Sequence, residues 1–153
     1  MLTELTVKGL LAETAGDAPV PGGGSISALN GAIAAALAEM VANLTIGKKK
    51  YADVQDEMAE IAKSAAALQK ELVLDVDRDS EAYDGVSQAF KLPKETDEEK
   101  AIRSAAIQEN TKKAALVPME VARRASALLP SIEAVVARGN QNAVTDGCVA
   151  MMC

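Results

Sequence analysis

Asp146 stands out among the residues that could carry chemistry, because it lies between Thr145 and Gly147 in an otherwise apolar segment. A carboxylate in such surroundings must find hydrogen-bond donors or take up a proton, and both situations are common where protons are transferred. A purely structural carboxylate is the alternative. The surroundings of Asp146 favour a functional one.

Two further carboxylates fall on the packing face of a long helix. Apolar side chains recur there at alternating steps of four and three residues, which is typical of a helix packed against a partner. The series is Val54, Met58, Ile61, Ala65, Leu68 and Leu72, and the same steps then reach Asp75, Asp79, Ala82 and Val86. Asp75 and Asp79 therefore indicate a site, unless the helix turns this part of its face toward solvent.

A glycine-rich segment, PGGGS from Pro21 to Ser25, directly precedes a long alanine-rich stretch. Free backbone amides at a helix N-terminus can bind an anion. The alternative is a flexible turn in which Ser25 or Ser27 caps the helix, and the sequence alone favours that turn. Neither a phosphate-loop nor a dinucleotide-binding pattern is present.

Lys48, Lys49, Lys50 and Tyr51 form a basic cluster directly after Gly47 in a chain of formal net charge -6. Lysines suit the C-terminal end of a helix, so an electrostatic role and an anion-binding role are equally favoured. The overall negative charge opposes binding to nucleic acid or to an anionic membrane surface.

Histidine is absent and only two cysteines occur, Cys148 and Cys153. This excludes the commonest general base and every Ser-His or Cys-His pair, so proton transfer falls to Asp, Glu, Lys, Tyr or Cys. The cysteine spacing implies neither a zinc site nor a disulfide, and we expect no metal. A reducing, cytoplasmic location fits, as does the lack of a signal-peptide pattern.

The elements that position these residues are predicted to be helices, because 49% of the 153 residues are hydrophobic but only 2% are aromatic. Alanine makes up the difference, and it favours closely packed helices. We predict a single all-α domain, residues 1–153, built as an up-and-down bundle. The first expected element is a short helix carrying Leu2, Leu5, Leu10 and Leu11, and a buried helix over 26–46 follows it. The third is the long helix that ends near Leu92, and the fourth is a helix that starts at the Thr96–Glu99 capping box. A short segment between Pro130 and Gly139 and a final apolar helix complete the bundle.

Two details of this prediction depend on choices between alternatives. The stretch over 26–46 is long enough to cross a bilayer, but Glu39, Asn30 and Asn43 favour a buried core helix and no membrane. Pro118 should kink or break the helix that contains it.

Four segments in order resemble the formiminotetrahydrofolate cyclodeaminase and methenyltetrahydrofolate cyclohydrolase family. They are PGGGSISALNGAIAAALAEMVANLTIGKKKY, DSEAYDGV, LPKETDEEK and GNQNAVTDG. The resemblance spans most of the chain, and the order and spacing of the motifs argue against chance. It implies an all-helical subunit that forms a homodimer and binds folate in a cleft near the subunit interface. Because the family's domain continues through further helices, it also implies that the last helices are missing after Cys153.

The resemblance implies a site made of ten residues. The implied catalytic residues are Asp146, Asp79 and Lys48, and the implied substrate-binding residues are Gly22, Gly23, Gly24, Ser25, Tyr51, Asn140 and Asn142. The substrate would be a tetrahydrofolate derivative, with Lys48 either a proton donor or an anchor for a polyglutamate tail, and no cofactor would be permanently bound.

The expected activity is that of a formiminotetrahydrofolate cyclodeaminase, which closes 5-formiminotetrahydrofolate to 5,10-methenyltetrahydrofolate and releases ammonia. The alternative is a methenyltetrahydrofolate cyclohydrolase, which opens the same ring to 10-formyltetrahydrofolate. A noncatalytic helical module that binds an anion or a partner helix is the rival from another class, and it does not explain the coincidence of motifs.

Overall fold

The computed structural model describes residues 1–153 and contains only helices. The α-helices are α1 (Val7–Thr14), α2 (Gly23–Thr45), α3 (Gln55–Phe90), α4 (Asp97–Arg138) and α5 (Val144–Met152). Short 3-10 helices cover Leu2–Glu4, Lys49–Val54 and Gln141–Ala143. The prediction of an all-α fold is confirmed.

The chain divides into two compact units. The first comprises Met1–Ala28 and Leu74–Val121, and the second comprises Leu29–Val73 and Ala122–Cys153. The expectation that residues 1–153 form a single domain stays a prediction.

The second unit has a core in which alanine is the most frequent residue. One cluster consists of Ala34, Ala35, Ala38, Ala65, Leu128, Ile132 and Ala150. The other consists of Val41, Ala42, Val54, Met58, Ile61, Val135 and Ala143. Because α2 supplies residues to both clusters, the prediction of a buried alanine-rich helix is confirmed. This helix is also long and apolar enough to cross a membrane by composition, but half of its most apolar stretch is buried inside the protein.

The packing face predicted for α3 is present along its length. Every apolar position of the series is buried or partly buried, and the face continues through Asp75, which is fully buried, to Asp79, which is partly buried. The two carboxylates therefore do lie on the inward face of the helix.

Helix α4 does not end at either proline, so the predicted break at Pro118 and the separate segment after Pro130 are wrong, whereas a kink at Pro118 stays a prediction. Helix α4 runs through both residues for 42 residues. Each proline removes only one backbone hydrogen bond. Buried side chains lie close to each proline on the same helix, and their packing offsets the loss; they are Val117, Val121, Leu128 and Ile132. The capping box that starts α4 is confirmed, since Thr96 and Glu99 each accept the other's backbone N–H.

The first helix is shorter than its leucine pattern predicts. Helix α1 begins at Val7 because the Thr6 side chain caps it by accepting the N–H of Gly9. Leu2 and Leu5 precede it. The segment before α1 is held by the buried carboxylate of Asp77 in the first unit. This carboxylate accepts the backbone N–H of Leu2 and the hydroxyl of Thr3.

Leu128→Ala should destabilise the protein by about 2 to 5 kcal/mol, because it opens a cavity that rigid neighbouring helices cannot fill. Leu128 is 1% exposed, whereas its neighbour Leu129 is 46% exposed. Leu129→Ala is therefore the matched control, with an expected change within about 0.5 kcal/mol. Urea unfolding measures both, and equal losses would contradict the assignment of the core.

Candidate active site

A carboxylate and a hydroxyl meet in the first unit where α2 begins. Ser25 is fully buried, and its Oγ donates a hydrogen bond of 2.9 Å to Oδ2 of Asp79. A Cβ atom added at Gly24 would overlap the Asp79 carboxylate, so only glycine permits this approach. The anion that lies against the start of α2 is therefore a side chain of the protein itself, and its charge complements the positive end of the helix dipole.

This arrangement answers one of the alternatives left open by the sequence. Ser25 does not cap α2, because its hydroxyl donates to Asp79, and the Ser27 hydroxyl donates to the Gly23 carbonyl at 2.7 Å. The serine-cap interpretation is wrong. The glycine segment instead gives Asp79 room to approach the helix.

A cavity of about 330 Å³ lies beside Asp79 in the first unit. Its lining consists of Pro19, Val20, Gly22, Gly23, Gly24, Asp79, Tyr83, Ala114 and Pro118. This volume is in the range of small-molecule sites, which are mostly apolar with a few polar groups that orient the ligand. Of the implied site residues, Gly22, Gly23, Gly24 and Asp79 thus line one cavity, and Ser25 holds Asp79 in place.

Asp75, the other carboxylate on this face of α3, belongs to an ion-pair network. Nη1 of Arg78 lies 2.6 Å from Asp75, and Nη2 lies 2.9 Å from Glu120. The hydrogen bond that Arg78 donates to Glu120, together with the charges of both carboxylates, raises the pKa of Arg78 above its usual value. Arg78 is therefore committed to two internal carboxylates, and Asp75 has a structural role.

In the second unit, Asn140 joins the loop before α5 to the end of α2. Its backbone N–H donates to Oγ1 of the buried Thr45 at 2.9 Å, and its Nδ2 donates to the Leu44 carbonyl at 3.0 Å. Its Oδ1 accepts the N–H of Asn142 at 3.1 Å. Asn140 is 5% exposed, so its side chain serves to hold the loop rather than to present an amide to solvent.

Tyr51 holds the same loop from another direction. Its Oη accepts the backbone N–H of Gln141 at 3.0 Å, and the ammonium of Lys50 lies 5.3 Å from the centre of its ring. The Gln141 hydrogen bond, supported by the charges of Lys50 and Lys48, lowers the pKa of Tyr51 below its ordinary value. The basic cluster thus favours the phenolate form of a neighbouring side chain, while Lys48 itself remains exposed.

Asp146 lies in the first turn of α5 and is partly exposed. It makes no hydrogen bond or ion pair with the protein. The next residue, Gly147, is buried, and a Cβ there would lie 2.7 Å from Cγ2 of Val136. Close packing at Gly147 therefore fixes the start of α5 while the Asp146 carboxylate stays available to a ligand.

The ten implied residues form two groups, one in each unit. Gly22, Gly23, Gly24, Ser25 and Asp79 belong to the first unit, and Lys48, Tyr51, Asn140, Asn142 and Asp146 belong to the second. The single shared site implied by the resemblance stays a prediction. Sequence reasoning missed Thr45, Gln141 and the Ser25–Asp79 pair, whose partners are separated by 95, 90 and 54 residues and leave no local pattern.

Comparison with known proteins gives a consistent result. The sequence model described as formiminotransferase-cyclodeaminase matches residues 6–153. The methenyltetrahydrofolate cyclohydrolase of Methylorubrum extorquens is 42% identical over 147 residues, covering 96% of this chain and 71% of that protein. The mouse formimidoyltransferase-cyclodeaminase is 33% identical over 145 residues, covering 95% of this chain but only 27% of the mouse protein.

A solved structure agrees with these relatives. The formiminotetrahydrofolate cyclodeaminase from Thermotoga maritima has a TM-score of 0.83 and 35% sequence identity, covering 98% of this chain and 71% of that chain. At this level of identity the likeness extends from the fold to the sequence.

Gly24→Ala should lower the free energy of unfolding by about 1 to 3 kcal/mol, because the new Cβ forces the Asp79 carboxylate out of place. Gly23→Ala is the matched control, since nothing lies within 4 Å of a Cβ there. Alanine is also the better helix former, so this control should be neutral or slightly stabilising. Chemical unfolding gives both values.

A double-mutant cycle isolates the contact responsible. In an Asp79→Ala background, the loss caused by Gly24→Ala should shrink to that of the Gly23 control. An undiminished loss in that background would show that the carboxylate is not what limits residue 24.

Tyr51 should titrate below pH 10.0, because the Gln141 N–H stabilises its phenolate. In a Tyr83→Phe background Tyr51 is the only tyrosine, so tyrosinate absorbance reports it alone. Gln141→Pro removes the donating N–H together with an exposed side chain, at the first position of a short helix where proline is tolerated. This substitution should raise the titration midpoint, and an unchanged midpoint would contradict the cause given.

Proposed function

We propose that this chain, which belongs to the formiminotransferase-cyclodeaminase family, closes 5-formiminotetrahydrofolate to 5,10-methenyltetrahydrofolate with release of ammonia. The observation that carries this proposal is the likeness to the Thermotoga maritima cyclodeaminase over 98% of this chain. The Asp79 carboxylate, held by Ser25 beside a cavity of small-molecule size, is consistent with it.

The reaction requires two proton transfers. A bond forms between N10 of the folate and the formimino carbon, and N10 loses a proton. The formimino nitrogen enters protonated, as =NH2+, and becomes an amino group when the new bond forms. It then receives one proton, its bond to the carbon breaks, and it leaves as ammonia, so that the positive charge remains on the methenyl product. With no histidine in the chain, carboxylates are suited to these transfers, and we assign them to Asp79 and Asp146.

A second candidate is the methenyltetrahydrofolate cyclohydrolase reaction. It is favoured by the 42% identity to the Methylorubrum extorquens cyclohydrolase, of which this chain spans 71%. In this reaction water adds to the same methenyl carbon, and the ring opens to 10-formyltetrahydrofolate. A carboxylate close to the cationic carbon stabilises it in both reactions, so one pocket could host either.

The remaining roles follow from charge and exposure. Lys48 is exposed where α2 ends, and we assign it to the carboxylates of a polyglutamate tail. Tyr51, Asn140 and Asn142 shape the loop before α5. The tetrahydrofolate derivative is a substrate, no permanently bound cofactor is part of the proposal, and the location proposed is the cytoplasm.

We also propose that the chain forms a homodimer. Helix α2 carries an outward apolar stripe of Ile33, Met40 and Leu44, which are 42%, 38% and 42% exposed and lie on one face. Such a stripe is suited to burial against another helix. Sedimentation equilibrium should give the mass of two chains, reduced to one by Met40→Asp; a mass of one chain without that substitution would contradict the proposal.

Asp146→Asn should lower turnover at least about a hundredfold, the usual scale for losing a proton-transfer group. Turnover is followed by methenyltetrahydrofolate absorbance, starting separately from the formimino and the methenyl substrates. A rise with the first substrate identifies a cyclodeaminase, and a fall with the second identifies a cyclohydrolase. If neither absorbance change occurs, the proposed function is overturned.

Glu133→Gln is the control, because Glu133 is an exposed carboxylate of the same unit and makes no hydrogen bond or ion pair. It should leave turnover unchanged. Equal turnover in the Asp146→Asn variant would remove Asp146 from the mechanism while leaving the reaction assigned.

A further inference from the structure

The cavity beside Asp79 has an aromatic wall to which the proposed reaction assigns no role. Tyr83 is the only aromatic residue in the lining, and Pro19, Val20, Ala114 and Pro118 form the apolar remainder. Asp79 is the only charged residue in the lining, and no lysine or arginine contributes to it. Such a cavity opposes an anionic ligand group and favours a flat ring that is neutral or carries N–H donors.

Tyr83 is placed to act on the same ligand as Asp79. It follows Asp79 by four residues on α3, so the two side chains lie one above the other on one helix face. Tyr83 is 44% exposed and makes no hydrogen bond with the protein. Phe90, the other aromatic residue of the first unit, differs because the guanidinium of Arg103 lies 5.5 Å from the centre of its ring.

Tyr83 differs in its contacts from the other aromatic residues of this chain, which has only two tyrosines, one phenylalanine and no tryptophan. Tyr51 is committed to Gln141, and Phe90 has Arg103 above its ring. Tyr83 alone has no polar partner, and it borders a cavity. A half-exposed aromatic ring at a cavity wall is suited to stacking on a flat ligand.

We propose that Tyr83 stacks on the pteridine of the folate, whose pyrimidine half stays planar in the reduced form, and so selects a fused nitrogen heterocycle for this cavity. A ring stacked on Tyr83 brings its N5 edge, which carries the formimino group, toward the Asp79 carboxylate one helical turn away. The glutamate tail is excluded from this cavity by the absence of a cation. The proposal rests on the proposed function and adds a binding residue to it.

The test separates the two parts of the ligand and uses the full chain. Binding of folic acid, of pterin (the ring alone) and of p-aminobenzoylglutamate (the remainder) is measured by equilibrium dialysis. Tyr83→Ala should raise the Kd for pterin and folic acid about 5- to 100-fold, the effect of removing one stacking partner of a base. The Kd for p-aminobenzoylglutamate should not change, and Tyr83→Phe should bind all three ligands as the unsubstituted chain does.

Phe90→Ala is the matched control, because it removes an exposed aromatic ring from the same helix outside the cavity. It should leave all three Kd values unchanged. Circular dichroism melts identify any unfolding of Tyr83→Ala, and Tyr83→Leu replaces it in that case. Equal effects on the two fragments, no effect on pterin, or no binding of pterin by the unsubstituted chain would each overturn the inference.

The inference and the proposed function can fail separately. Pterin binding that depends on Tyr83, without turnover of either folate substrate, would leave the ring site and overturn the assigned reaction. Normal turnover with pterin binding indifferent to Tyr83 would overturn the ring site alone.

Discussion

Close approach of helix backbones across alanine and glycine is the constraint on which this structure depends. Few aromatic residues are available to fill space between helices, so the cores rely on small side chains that let backbones come near one another. In the second unit Ala35, Ala38 and Ala65 are fully buried, and Met58 and Leu128 fill the remaining space. Stability then comes from dense packing over many small contacts rather than from a few large side chains.

The same close approach occurs at glycines beside the residues of the proposed site. Gly24 lets the Asp79 carboxylate reach the start of α2, and Gly147 lets α5 begin against Val136. Gly139, at the end of α4, has no room for a Cβ beside the Val135 carbonyl. Each of these glycines lies in a segment that carries the family resemblance or directly adjoins a residue of the proposed site. The motifs therefore encode close approach as much as they encode chemistry.

Helical periodicity was sufficient to predict most of the fold. The packing face of α3 and the capping box of α4 follow from local rules of spacing and hydrogen bonding, and the structure confirms both. The uninterrupted course of α4 through Pro118 could not be predicted, because local rules weigh the lost hydrogen bond without the packing that offsets it. The start of α1 was predicted too early from Leu2 and Leu5 for a related reason, because the Thr6 cap and not the apolar pattern fixes where this helix begins.

The site was harder to predict because its decisive contacts join distant parts of the chain. Helix spacing singled out Asp79, the basic cluster singled out Tyr51, and the family resemblance singled out Asn140. None of these signals gave the contacts that each residue makes. Only the fold shows that the Ser25 hydroxyl binds Asp79. It also shows that the Asn140 side chain donates to the Leu44 carbonyl and accepts the Asn142 N–H. Hydrogen bonds between such remote positions have no spacing rule from which they could be predicted.

The two carboxylates that we propose for proton transfer differ in how they are held, and this difference suits them to different tasks. Oδ2 of Asp79 accepts the Ser25 hydroxyl, so the carboxylate has a defined direction before substrate arrives. Asp146 has no partner in the protein and is partly exposed, so its orientation depends on a donor that the substrate brings. A preoriented carboxylate suits the proton that leaves as the new bond forms, where alignment with the attacking nitrogen matters most. A partly exposed carboxylate without a protein partner suits the proton delivered to the departing amine, because it can recover that proton from water before the next turnover.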